Sequence, residues 1–152
     1  MSSLDPDNPV VKLCVAGMRA EGDGHLDEAA ELFQQAWAAR QDDFEACIAA
    51  HYVARHQPTP EDSLRWNEVA LAGAEAARAE AVGGERVQGF FASLYLNLGH
   101  AHETLGHTAE ARRFYDLAAG QLEAVPGGRY GEMVRGGIER GRVRLNGDGA
   151  QA

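Results

Sequence analysis

The stretch Leu94–Ala118, LYLNLGHAHETLGHTAEARRFYDLA, decides the fold. It reads as two helices joined by a turn. Gly99 is a small residue in the first helix, where a partner helix can approach closely. Gly106, seven residues later, makes the turn, and Thr108 is placed to cap the second helix. Ala111 sits where the pair is tightest; Tyr115, four residues on, and then Ala118 continue the same face.

Subtracting 82 from each of these numbers returns Gly17, Gly24, Ala29, Phe33 and Ala36. Small residues fall on small residues and Phe falls on Tyr; Glu28 falls on Glu110, and Leu13 on Tyr95. Adding 34 to the first set gives His51, Pro58, Ser63, Asn67 and Ala70, a weaker match that keeps a turn residue at Pro58 and a small residue at Ala70. Three units of 34 residues therefore fit at about 10–43, 44–77 and 92–125, with 14 further residues at 78–91. Leu98-Gly99, His102, Leu105-Gly106, Ala111, Tyr115 and Ala118 resemble a tetratricopeptide repeat, a helix–turn–helix unit of the same length, and the first unit is similar with less of the pattern. The middle unit departs from it, with His51 at a small position and Asn67 at an aromatic one.

Punctuation extends the helical reading to the whole chain. Asn8-Pro9, Asp42-Asp43-Phe44-Glu45 and Thr59-Pro60-Glu61-Asp62 are helix starts. Gly22-Asp23-Gly24, Gln57-Pro58, Gly83-Gly84, Gly106 and Pro126-Gly127-Gly128 are stops. Seven helices are expected, at 9–21, 25–40, 43–56, 60–81, 85–105, 108–124 and 129–144, and no bounded period-two run marks a strand. The expected fold is all-α: one antiparallel helix-hairpin solenoid over 9–145, between a disordered segment 1–8 and a disordered tail 146–152, with 129–144 as a capping helix. The 78–91 excess should lengthen the fourth and fifth helices into a protruding hairpin, either a partner-specific feature or a tolerated surface insertion.

Composition bounds the function. The 152 residues are 45 % hydrophobic and 24 % charged, ordinary for one globular domain. A net charge of −9 disfavours nucleic acid and anionic lipid as partners. The longest uncharged apolar-rich run, Gly89–Gly99, is far below the roughly 20 residues that span a bilayer. The polar, acidic start gives no sign of a signal peptide. Two cysteines, Cys14 and Cys47, make no disulfide framework and suit a reducing cytoplasm as buried small hydrophobes. One lysine among 14 basic residues, with abundant Ala and Gly, fits a GC-rich bacterial coding sequence. Residues 129–145 hold five arginines against two glutamates, so this helix is a handle for an acidic partner, a dock on the chain's own acidic body, or a solvated face.

No motif specifies an enzyme. There is no glycine-rich dinucleotide loop after a strand, no phosphate loop, no His-Glu-x-x-His and no Cys-x-x-Cys. His51 and His56, like His100 and His102, diverge around their helices, so no metal and no cofactor are expected. The resemblance implies instead that the first helix of each pair lines a concave groove. Groove residues are then Met18, Ile48, Tyr52, Arg55, Leu96, Asn97, His100 and Glu103, apolar at one end and polar at the other. The polar end suits a peptide with an acidic or carbonyl-rich anchor. Cys14, Met18 and Ser93 stand where a carboxylate clamp of that family would need polar groups, so a chaperone-tail clamp is not expected. The expected function is a non-enzymatic binding adaptor for a protein or peptide. The alternatives are a self-associating structural protein, or a helical domain binding a small molecule in the polar half.

Overall fold

The computed structural model describes residues 5–80, 87–125 and 127–151, and it is helical throughout, with no strand among these residues. Residue contacts divide the chain into two compact units, one ending at Val87 and the other beginning at Gln88. The division falls inside the 78–91 excess.

The first unit holds α1 (Pro9–Gly22), α2 (Leu26–Ala39), α3 (Asp43–Val53) with a short 3₁₀ turn (Ala54–His56), and α4 (Pro60–Arg78). Its helices start where the sequence places caps. Asn8 Oδ1 accepts from the amides of Val10 and Val11 at 2.8 and 3.1 Å. Asp42 Oδ1 accepts from Glu45 N at 2.7 Å, and Thr59 Oγ1 from Asp62 N at 3.1 Å. The Glu45 carboxylate in turn accepts from Gln41 N and from Asn8 Nδ2, both at 2.8 Å, which ties the start of α1 to the start of α3. The core of this unit includes Ala20, Ala29, Phe33 and Val53, with Trp37, Tyr52 and Trp66 packed against it.

The second unit holds α5 (Phe91–Thr104), α6 (Thr108–Ala119), a 3₁₀ turn (Leu122–Ala124) and α7 (Arg129–Gln151). α5 and α6 form a hairpin, and α7 packs against both. Ala92, Ala118, Val125, Val134 and Ile138 make its core.

The α1–α2 and α5–α6 turns are alike in detail. Gly24 has φ +82° and Gly106 φ +79°. His25 N donates to Ala20 O and His107 N to His102 O, each at 2.8 Å, closing both first helices with the same left-handed glycine cap. A single-sequence glycine signal suffices here because other residues avoid positive φ. Thr108, read as a cap, is instead the first helical residue; His107 precedes it as His25 precedes α2, and neither histidine side chain caps its helix. Close packing is also shared. A Cβ on Gly17 would come within 2.3 Å of the Phe33 ring, and one on Gly99 within 2.9 Å of the Tyr115 ring.

Other boundaries differ from expectation. α4 ends at Arg78 rather than 81, tightening through 3₁₀-type bonds from Ala79 N to Ala76 O and Glu80 N to Ala77 O. Val87 and Gln88 are helical, a turn follows at Gly89-Phe90, and α5 starts at Phe91; the expected start at 85 lies outside the described residues. The expected Gly83-Gly84 turn lies outside the described residues. α7 runs to Gln151, past the expected end at 144 and through most of the expected tail, because the backbone stays helical through Asn146-Gly147 instead of taking the left-handed stop that those residues permit.

The glycine–ring contacts give a direct test. Gly17→Ala should destabilise the protein by about 1–3 kcal/mol in urea titration, since its Cβ has no room without moving a fully buried ring. Gly22→Ala has nothing within 4 Å and should be neutral or stabilising by up to about 1 kcal/mol.

Candidate functional site

In the first unit the last turn of α1 presents Glu21, and the 3₁₀ turn after α3 presents Arg55 and His56. Arg55 Nη2 lies 3.1 Å from Glu21 Oε1, and His56 Nε2 lies 2.6 Å from Glu21 Oε2. Phe33 stacks on Tyr52 with centroids 5.1 Å apart and on His56 at 5.7 Å. Arg55 lies 5.5 Å above the Tyr52 ring and keeps 48 % of its side chain exposed. A guanidinium is thus held in place by a carboxylate and an aromatic face while much of it reaches solvent. Met18, one turn before Glu21 on α1, is exposed.

Not every expected groove residue contributes surface here. Ile48 is buried, and Tyr52 packs against the core, so its ring supports the fold and offers only part of its surface. Cys14 and Val11, one and two turns before Met18 on α1, are buried as well. His51 stands edge-on to Tyr52 at 5.0 Å; burial, and then the nearby Arg55 charge, push its pKa down to about 4, so it is neutral at physiological pH. Burial also pushes the Cys14 and Cys47 thiols up to about 12, leaving them protonated and poor nucleophiles.

In the second unit the equivalent carboxylate, 82 residues on, is Glu103. The Tyr115 hydroxyl donates to Oε1 at 2.6 Å, and Arg144 of α7 donates through Nε to Oε2 at 2.8 Å and through Nη2 to Oε1 at 3.0 Å. The Tyr115 ring lies between two glycines, Gly99 of α5 and Gly141 of α7. Arg144 above all, and then Tyr115, hold the Glu103 carboxyl below its ordinary range against the opposing effect of burial. Burial first, and then Glu103, push the Tyr115 hydroxyl up to about 12.

Glu103 is therefore engaged by α7, and Leu96, another expected groove residue, meets α7 at Gly137. Asn97 is half-buried and His100 is exposed on α5. The last helix docks on its own unit. Arg142 pairs with Asp116 at 3.2 Å, Arg144 with Glu103, and Arg135 reaches the Leu122 and Val125 carbonyls at 3.4 and 3.3 Å. Arg112 of α6 returns a bond to the Leu145 carbonyl at 2.9 Å.

The reading of single residues missed Glu21, His56, Tyr115 and Arg144 as site-forming groups. The signal for Glu21 lay in the 82-residue shift, which superposes it on Glu103. Among the described residues no group of three or more His, Cys, Asp or Glu is placed to hold a metal ion. His102 and His107 face each other, Nδ1 to Nδ1 at 3.0 Å, with the His102 ring stacked on Phe114. Among the described residues no helix is long and apolar enough to cross a membrane. Comparison with protein-family models, with curated proteins and with solved structures returns no match.

The three hydrogen bonds at Glu103 set a pH dependence. Because its folded pKa lies below the unfolded value, its contribution is present above the ordinary carboxylate pKa and is lost as pH falls through the folded one. Glu103→Gln should flatten the acid limb of a melting-temperature profile relative to the parent. Tyr115→Phe, which keeps the ring and removes the donor, should cost about 1–2 kcal/mol in urea titration.

Proposed function

We propose that the chain is a non-enzymatic protein-interaction module built on tetratricopeptide-type helix hairpins, and that its first unit takes an acidic or carbonyl-rich peptide segment at Met18, Tyr52 and Arg55. The observation that carries this reading is the Arg55 guanidinium, fixed by Glu21 and Tyr52 yet half-exposed. Ordering a long side chain before a ligand arrives removes part of the entropy cost of binding. A guanidinium with donors still facing water then offers a charge-assisted bond to an incoming carboxylate or carbonyl. Met18, exposed one turn before Glu21 on α1, supplies an apolar contact. Support for the repeat type comes from the matched turns at Gly24 and Gly106 and the matched glycine–ring contacts. In the second unit His100 is exposed on α5, while Leu96 and Glu103 meet α7.

The test is selection of peptides from a random displayed library on the full chain, followed by binding measurements on Arg55→Gln. That substitution removes the charge but leaves His56 on Glu21, and a half-exposed ion pair is worth about 1 kcal/mol or less, so the melting temperature should change little. Selected peptides should carry an Asp, Glu or free C-terminus and lose roughly tenfold in affinity on Arg55→Gln. Peptides that bind Arg55→Gln as well as the parent would remove Arg55 from the site and end the reading.

A further inference from the structure

Glu21 is shared between two bases. Arg55 holds one carboxylate oxygen at 3.1 Å, and His56 Nε2 holds the other at 2.6 Å. An ionised carboxylate only accepts, so His56 Nε2 carries the hydrogen, and Nδ1 is the atom left to take a proton. Nδ1 has no hydrogen-bond partner among the described residues. The side chain keeps 19 % of its surface exposed, which gives solvent protons access.

That proton changes what Arg55 offers. With His56 neutral, the charges of Glu21 and Arg55 cancel. With His56 protonated, the cluster is net positive and Glu21 is divided between two cations. Both changes favour an anion at the half-exposed Arg55 guanidinium. The second unit has no such group on its glutamate: there the Tyr115 hydroxyl completes Glu103, and its pKa, pushed up to about 12, keeps it a neutral donor.

We propose, on the reading of Arg55 as the anchor for an acidic segment, that His56 sets the charge of this site, so that the segment binds more tightly in mildly acidic solution and brings a proton with it. The groups around His56 leave it this role. α1 brings Glu21, α2 brings the uncharged Phe33 ring, and the 3₁₀ turn itself brings Arg55. α4, packed on that turn, brings Ser63, whose Oγ donates to Ala54 O at 3.0 Å, while its Asp62 pairs with Arg65. Among the described residues Glu21 is the only carboxylate at ion-pair distance from His56. His51 also lies near Arg55 but stays neutral down to about pH 4, and His25 stands at the start of α2 against Glu28. Imidazole changes charge between about pH 5 and pH 8, whereas carboxylates stay ionised above about pH 5. Linkage then makes the effect reciprocal: a proton that tightens binding is itself bound more tightly once the segment is in place.

The probe is a histidine-free peptide selected on the full chain and labelled with tetramethylrhodamine. Anisotropy titrations at constant ionic strength, from about pH 7.5 to about pH 5.5, cover the imidazole range. Affinity should rise about two- to fivefold on acidification for the parent and for His25→Gln. It should stay level for His56→Gln, whose amide retains a donor for Glu21. Calorimetry near pH 6.5 in two buffers of different ionisation enthalpy should show proton uptake on binding, absent in His56→Gln. A peptide with its anchoring carboxylate converted to an amide should show neither uptake nor pH dependence on the parent chain, a comparison that needs no variant protein. Where Arg55→Gln costs affinity at about pH 7.5, a flat parent profile, or one that His56→Gln leaves intact, overturns the proposal and spares the Arg55 site. Equal proton uptake with the acid and the amide peptide overturns it as well. Peptides indifferent to Arg55→Gln overturn the Arg55 site and this proposal together.

Discussion

An aromatic ring laid against a glycine is the contact on which each unit depends. Phe33 rests on Gly17, and Tyr115 on Gly99. Glycine is a poor helix former, at about 1 kcal/mol relative to Ala, yet at these positions any larger residue would push the second helix away. The ring then covers both backbones and reaches the next helix in the chain. In the first unit it meets Tyr52 and His56; in the second it meets Gly141. One small position thus sets the distance within a hairpin and the seating of the helix that follows.

Electrostatics repeats the same plan with different residues. A glutamate closes the first helix of each hairpin and is held by a cation from the following helix, Arg55 in one unit and Arg144 in the other. The partners that complete each hub differ. His56 completes Glu21 and leaves Arg55 half-exposed, whereas the Tyr115 hydroxyl and two bonds from Arg144 engage Glu103 more fully. Both guanidinium groups stay half-exposed, and the second one ties α7 to its hairpin. This is also how the basic last helix is used: of its arginines, Arg135, Arg142 and Arg144 all bind groups of their own unit.

Much of the helical layout was legible. Caps at Asn8, Asp42 and Thr59 and the glycine turns at Gly24 and Gly106 depend on local backbone chemistry, which a short window of residues contains. Helix ends without such chemistry were not legible. Asn146-Gly147 offers a stop that the backbone does not take, and Gly89-Phe90 breaks a run that looks continuously helical. The candidate site was partly legible. Met18, Tyr52 and Arg55 were named through the resemblance, whereas burial of Ile48 and the engagement of Leu96 and Glu103 by α7 depend on which helix covers each face.

By itself the sequence determined that the chain is helical, where three of its hairpins turn, and which small and aromatic positions pair across 82 residues. These properties follow from intrahelical hydrogen bonding, from positive-φ turns and from side-chain volume, all of which act over one or two helices. Tertiary structure alone decided that Glu21 gathers Arg55 and His56, that Tyr115 sits between two glycines under Arg144, and that Met133 and Val143 stay uncovered. Those outcomes depend on contacts between residues 10 to 40 places apart in the chain, and on which helix a given face meets, and no periodicity within a single helix encodes either.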